Sequence, residues 1–343
     1  MAKQETCSNG SNGSISSYAP HLLNRWAAKD GHYSYEKVLH EGTYGTTLLA
    51  RRGKFGPRLA ILLFHLPWAN TVREVHLKKL SGLRHKNLVH LIDCYDCHDP
   101  PLTTMSMTQF PSKSLPPPTA VAVVMELSLS GTLSKYLNKY RVNEETRLRW
   151  YNDLAMGLHY LHSNGILHWD LRPENIFIQD DQLRLANIGF MQTAKESNRK
   201  KFNFNHSVFL EEYVEEAIPF IAPETFGGVY NKSSEIFSLG LIFLAIAESP
   251  DCGYHKARWS NTTDVLGKLL HSRLPPRTTK PVHLLEPPVT QARPQESSLF
   301  NEMLSHNPHS RPTTEGVLTS LEGITLGGKE TLTSMAVKWI CSC

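Results

Sequence analysis

The chain has 343 residues, 40% of them hydrophobic, with 36 Lys and Arg against 32 Asp and Glu. That length exceeds what one hydrophobic core usually organises, so two lobes or domains are expected. A net charge of +4, carried by scattered basic residues, leaves no field that would point to nucleic acid or to an anionic membrane.

Residues 1 to 17 are rich in Ser, Asn and Gly, so 1–32 are expected to form a disordered or loosely ordered segment. No positively charged stretch followed by an apolar one opens the chain. The most apolar run, Ile236 to Ala247, is too short to cross a bilayer. Six cysteines without regular spacing suit a reducing compartment. An intracellular protein is expected, cytoplasmic or nuclear, with no integral membrane association.

From Tyr35 to Phe64, short apolar runs are broken by Gly42, Gly45, Gly53 and Gly56, a pattern of consecutive antiparallel strands. A helix is expected from Thr71 to Leu83. Strands follow at Leu88 to Tyr95 and Ala120 to Leu127, separated by a proline-rich surface insertion. Cys94 and Cys97 lie near His90 and His98, but no second ligand pair follows at zinc-site spacing, so they read as free thiols. After Gly131 the period changes to helical, most clearly from Glu144 to His162, where Leu148, Tyr151, Leu154, Leu158 and Leu161 recur at spacings of three and four. A buried helix is expected from Ser234 to Glu248. An irregular stretch from Pro275 to Pro294 then precedes an amphipathic helix starting near Ser297. Residues 322–343 read as a tail ending in Cys341, Ser342 and Cys343.

Several segments carry a resemblance in a fixed order. HWDLRPEN at His168 to Asn175 resembles the catalytic loop HRDLKPEN of serine/threonine protein kinases, differing at Trp169 and Arg172. LHEGTYG at Leu39 to Gly45, VVMEL at Val123 to Leu127, NIG at Asn187 to Gly189, and APE at Ala222 to Glu224 stand in the family's order, followed by YNKSSEIFSLG at Tyr230 to Gly240 and by Asn307 to Arg311. The resemblance implies an α+β, bilobal protein-kinase-like fold over 33–321. Its small lobe would be an antiparallel sheet with one main helix at 33–125, its hinge 126–128, and its larger, mainly helical lobe 129–321. Within it, Glu224 would pair with Arg311, Glu235 would anchor the backbone of the catalytic loop, and His168 would be structural.

The same resemblance assigns nucleotide contacts to Gly42, Tyr44, Gly45, Ala60, Leu62, Met125, Glu126, Ser128 and Phe177. Phosphoryl transfer depends on positioning and on neutralising charge, so the charged positions matter most. Leu62 stands where the family places its phosphate-gripping Lys, which would leave Glu74, the helix partner, unpaired. Arg51, Arg52, Lys54 and Arg58 are the candidate substitute cations. Asn187 replaces the metal-binding Asp, keeping an oxygen but not the charge, while Asn175, the second metal ligand, and Asp170, the residue that would orient and deprotonate a hydroxyl, are retained. Arg172 replaces a Lys, Trp169 an activation-segment Arg, and Ala217 a Thr.

Losing both the Lys and the metal Asp would remove roughly 10⁴- to 10⁶-fold in rate. Two readings follow. In the first the chain is a pseudokinase that binds protein partners, with ATP and Mg²⁺ binding weakened or absent. In the second it is an active, divergent serine/threonine kinase.

Overall fold

The structure is a computed structural model that describes residues 33–41, 45–53, 55–64, 80–96, 121–128, 130–188, 220–227, 229–248 and 294–325. Gly42, Tyr44, Glu74 and Ala217, the proline-rich insertion and most of the 71–83 helix lie outside the described residues. The chain divides into two compact units, one of Met1–Leu83 with His90–Leu127, the other of Arg84–Val89 with Ser128–Cys343.

In the first unit, β1 (Tyr33–Glu41), β2 (Gly45–Arg52), β3 (Arg58–Phe64), β4 (Leu91–Asp96) and β5 (Val121–Glu126) form one antiparallel sheet in the order β1-β2-β3-β5-β4. Strand alternation puts Leu48, Ala50, Leu59, Ile61, Leu63, Ala122 and Val124 on one face, where they pack with Tyr33. β3 is buried on its other face too, at Ala60 and Leu62, which explains its unbroken apolar run. Glycine is demanded at position 45 by strand pairing alone: a Cβ there would lie 2.0 Å from the Leu63 carbonyl oxygen.

The strand expected from Leu88 begins at Leu91 instead. Leu88 and Val89 are captured by the second unit, where the Val89 N–H donates to the Leu185 carbonyl at 2.8 Å and Leu88 bridges Leu185. Asn87 anchors the same segment through its side-chain amide to the Leu183 carbonyl at 3.0 Å.

The second unit is mainly helical. Thr132 caps α1 (Leu133–Leu137), and Asn143 caps α2 (Glu144–Ser163) by accepting the Thr146 N–H at 2.8 Å. Glu144 and Glu145 then suit the positive end of α2. α3 (Lys232–Glu248) is buried from Ser234 to Ile246, all round, as its apolar composition expects. α4 (Pro294–Met303) starts three residues earlier than expected, at a proline suited to a helix's first turn. A further helix, α5, covers 314–325, with the Thr313 hydroxyl accepting the Gly316 N–H at 3.2 Å.

The core of this unit lies where α2, α3 and α4 meet. The Tyr151 ring stacks on Phe243 at 4.3 Å, and Phe300 meets Tyr151 edge-on at 5.9 Å. Beside them Arg147 donates to both carboxylate oxygens of Glu296, at 3.1 and 2.8 Å, with both side chains almost fully buried. Residues 149 apart in sequence make this pair, and no local pattern announces it.

Candidate functional site

The sheet carries the first group of candidate residues. Cross-strand register runs Gly45 to Phe64, Thr47 to Leu62 and Ala60 to Met125, and Leu62 also pairs with Val123. Ala60, Leu62 and Met125 therefore share the face opposite the Ile61 cluster, each 9% exposed or less. Leu62 offers that face a branched hydrocarbon and no charged donor.

Two of the cations weighed as substitutes are committed elsewhere. Arg51 donates to Glu36 at 3.1 Å and to the Gly56 carbonyl at 3.1 Å, and Arg58 lies 2.9 Å from Glu36. The Arg58 guanidinium, with help from Arg51, holds the Glu36 carboxyl below its usual range against a smaller opposing effect of burial. Arg58 is also four residues from Leu62, about 13 Å along the strand. Arg52 is exposed on the opposite parity, and Lys54 lies outside the described residues. Among the hinge candidates, the Glu126 N–H donates to the His90 carbonyl at 3.0 Å.

The second unit builds the loop at 168–175 that resembles a catalytic loop. β6 (Ile176–Gln179) and β7 (Gln182–Leu185) pair around Asp180 and Asp181, both at positive φ, the backbone of a two-residue hairpin turn with its primed geometry. At the open end of that hairpin the Ala186 N–H donates to the Asn175 carbonyl at 2.9 Å, which brings Asn187 beside Asn175. Ser128 is tied to the same hairpin, its hydroxyl donating to the Ile178 carbonyl at 3.1 Å, and Phe177 bridges Thr132.

The four residues carried over as catalytic and metal-binding meet in one chain of contacts. The Asn175 amide nitrogen donates to the Asp170 carbonyl at 2.9 Å and to Asp170 Oδ2 at 2.6 Å. Asn175 Oδ1 accepts from the Asn187 amide nitrogen at 2.7 Å. Arg172 Nε lies 3.2 Å from Asp170 Oδ1, close enough to neutralise it. Asn187 sits at φ 57°, a left-handed conformation that Asn tolerates better than most residues.

Glu235 organises the loop from below. Fully buried on α3, it accepts the Trp169 N–H at 2.7 Å and the Tyr230 hydroxyl at 2.9 Å on Oε1, and its Oε2 meets His162 Nε2 at 2.8 Å. Trp169 is held at φ 70° and stacks on Tyr230 with centroids 4.4 Å apart. A bulky residue in that region is strained, and the Glu235 contact with the stack offsets it. His168 is wholly buried, and burial holds its imidazole below the usual range against the pull of Glu235 and Asp170.

Glu224 and Arg311 form a two-pronged ion pair at 2.7 and 2.9 Å, which Ser234 joins at 2.7 Å. Arg311 also donates to the Ser233 and Ser305 carbonyls and lies over the Phe237 ring. Burial alone would raise the Glu224 carboxyl; Arg311 and Ser234 hold it below its usual range.

A magnesium ion asks for oxygen ligands including one or two carboxylates. The donor set here fits it poorly: Asn175 and Asn187 are neutral, the Asn175 oxygen is engaged by Asn187, and the Asp170 carboxylate faces Arg172 and Asn175. Sequence reasoning missed this inversion, in which a donor group turns toward the oxygen that the resemblance assigns to a cation. The residue type at 187 held the signal, because an amide, unlike a carboxylate, carries N–H.

Residues 33–321 match the family model of the protein kinase domain. The interferon-induced, double-stranded RNA-activated protein kinase of Mus musculus is 24% identical over 291 residues, which cover 82% of this chain and 48% of that protein. CBL-interacting protein kinase 19 of Oryza sativa subsp. japonica is 25% identical over 301 residues, covering 84% of this chain and 50% of that protein. Serine/threonine-protein kinase WNK4 of Homo sapiens is 27% identical over 205 residues, 58% of this chain and 14% of that protein. The chain thus spans half or less of the length of these curated relatives. A solved structure, Rad53 1-466 in complex with AMP-PNP, aligns with a TM-score of 0.53 at 18% identity, over 84% of this chain and 64% of that one. The likeness extends to the α+β fold, a small antiparallel sheet followed by a larger helical part.

Proposed function

For a chain that belongs to the protein kinase domain family, we propose the role of a pseudokinase: a folded scaffold that engages protein partners inside the cell and transfers no phosphate at a useful rate. One observation carries this reading. Leu62 is buried at the position of the phosphate-gripping Lys, and the described arginines on its face are bound to Glu36 at the far end of the strand. Without that charge, the γ-phosphate of a nucleotide is neither pulled into line nor relieved of its developing charge. The Rad53 structure is of a complex with AMP-PNP, and an ATP-type nucleotide is the ligand to test here, with binding weakened by the missing cation.

The experiment incubates the purified chain with labelled ATP, magnesium or manganese, and generic protein acceptors. Transfer is expected to be no greater than that of an Asp170→Ala control. One set of contacts favours the second reading, an active serine/threonine kinase: Asp170 is retained and firmly held by Asn175 and Arg172. Transfer that persists in Leu62→Ala and vanishes in Asp170→Ala would establish that reading and end the first.

A further inference from the structure

Resting on the pseudokinase reading, we propose that Asn187 closes the catalytic loop in place of a divalent cation, so that the folded chain neither binds nor is stabilised by Mg²⁺ there. The hydrogen-bond network fixes the orientation of both amides. Asn175 Nδ2 faces two acceptors, the Asp170 carbonyl and Asp170 Oδ2. Its oxygen must then point the other way, where it meets the Asn187 side chain at 2.7 Å. Two oxygens cannot share that distance without a proton or cation between them, so the atom Asn187 presents is its N–H.

The charge of the cluster agrees with this. Asp170 brings one negative charge and Arg172 cancels it at 3.2 Å, while Asn175 and Asn187 bring none. A hard divalent cation would have to displace a short hydrogen bond between the buried Asn175 amide and the half-buried Asn187 amide and would gain only neutral oxygens in return. A carboxylate at position 187 reverses the balance, since two acceptors would then face each other and a bridging cation would relieve them. The left-handed backbone at 187 accepts Asp as readily as Asn, so that replacement changes charge without breaking the fold locally.

The test uses the full chain and its Asn187→Asp variant, melted in EDTA and in millimolar Mg²⁺ without nucleotide. The wild type is expected to melt at the same temperature in both. The variant is expected to melt about 3–6 °C lower in EDTA and to recover with Mg²⁺. A rise in the wild-type melting temperature with Mg²⁺ that Asn175→Ala abolishes would overturn the proposal. So would an Asn187→Asp variant that matches the wild type in EDTA and ignores Mg²⁺.

Should that variant fail to fold, Mn²⁺ binding to the wild type, followed by electron paramagnetic resonance, gives the answer directly. No bound Mn²⁺ is expected, and bound Mn²⁺ lost in Asn175→Ala would sink the idea. Cation binding without phosphate transfer would remove this inference and leave the pseudokinase reading standing, whereas transfer would remove that reading itself.

Discussion

The sheet face around Leu62 and the buried polar clusters of the helical unit treat charge in opposite ways. On the sheet, the position that would carry a cation is hydrocarbon, and Arg51 and Arg58 are held by Glu36 at the other end of β3. In the helical unit, Arg147, Glu296, Arg311 and Glu235 are buried and bonded, and the partly buried Glu224 is bonded to Arg311. Charges that hold helices and loops together are present, whereas on the proposed reading those that would grip a ligand are not. The two sets of charges answer to different physical demands, so the fold can be well specified whether or not the chemistry is.

The sharpest way to test the helical side is to break the Arg147 pair and then replace it whole. Arg147→Met should cost about 3–5 kcal/mol in urea unfolding, since it strands Glu296 in the core, and adding Glu296→Leu should recover most of that loss. Failure to recover would mean the pair does more than satisfy itself.

On the sheet side the opposite substitution is informative. Leu62→Lys is expected to lose about 2–3 kcal/mol by burying an ammonium, against less than about 1.5 for Leu62→Met. A lysine variant as stable as the wild type would mean that a carboxylate waits within reach, and the contrast between the two regions would narrow.

Acid should weaken the helical unit in two stages. The imidazole of His168 is held low by burial, so the folded chain binds fewer protons there than the unfolded one. Its contribution is complete above about pH 6.5 and is lost as pH falls through the lower folded value. The carboxyl of Glu224 is likewise held low, and its share is present above 4.5 and lost below it. Urea melts from pH 8 to 3 should show a slope of up to about 1.4 kcal/mol per pH unit from each group, and His168→Gln should shrink the upper stage alone, leaving the share of His85, which burial also holds low. The smallest expected effect is Asn143→Ala at the start of α2, about 1 kcal/mol from the lost cap.

Much of this was legible in the residues. Short apolar runs broken by glycines marked β1 to β3, three-and-four spacing marked α2, and the uniform apolar run marked α3, because each is a local consequence of burying one face or all of an element. The Glu224 and Arg311 contact came from motif order and not from any pattern within either segment. What escaped was tertiary: Leu88 and Val89 joining β7, and Arg147 reaching Glu296. α5 escaped although Thr313 is an ordinary helix-starting residue and Val317, Leu318, Leu321 and Ile324 recur at helical spacing. At the candidate site the residue types were read correctly but the direction of their hydrogen bonds was not, since that depends on which neighbour each amide faces.

The crowding at position 45 bears on how such chains are recognised over evolutionary time. Any side chain there would collide with the neighbouring strand's backbone, so drift is barred by folding long before ligand affinity is consulted. A lineage that abandoned nucleotides altogether would still carry that glycine, and its persistence measures the tightness of a hairpin, never the survival of an activity.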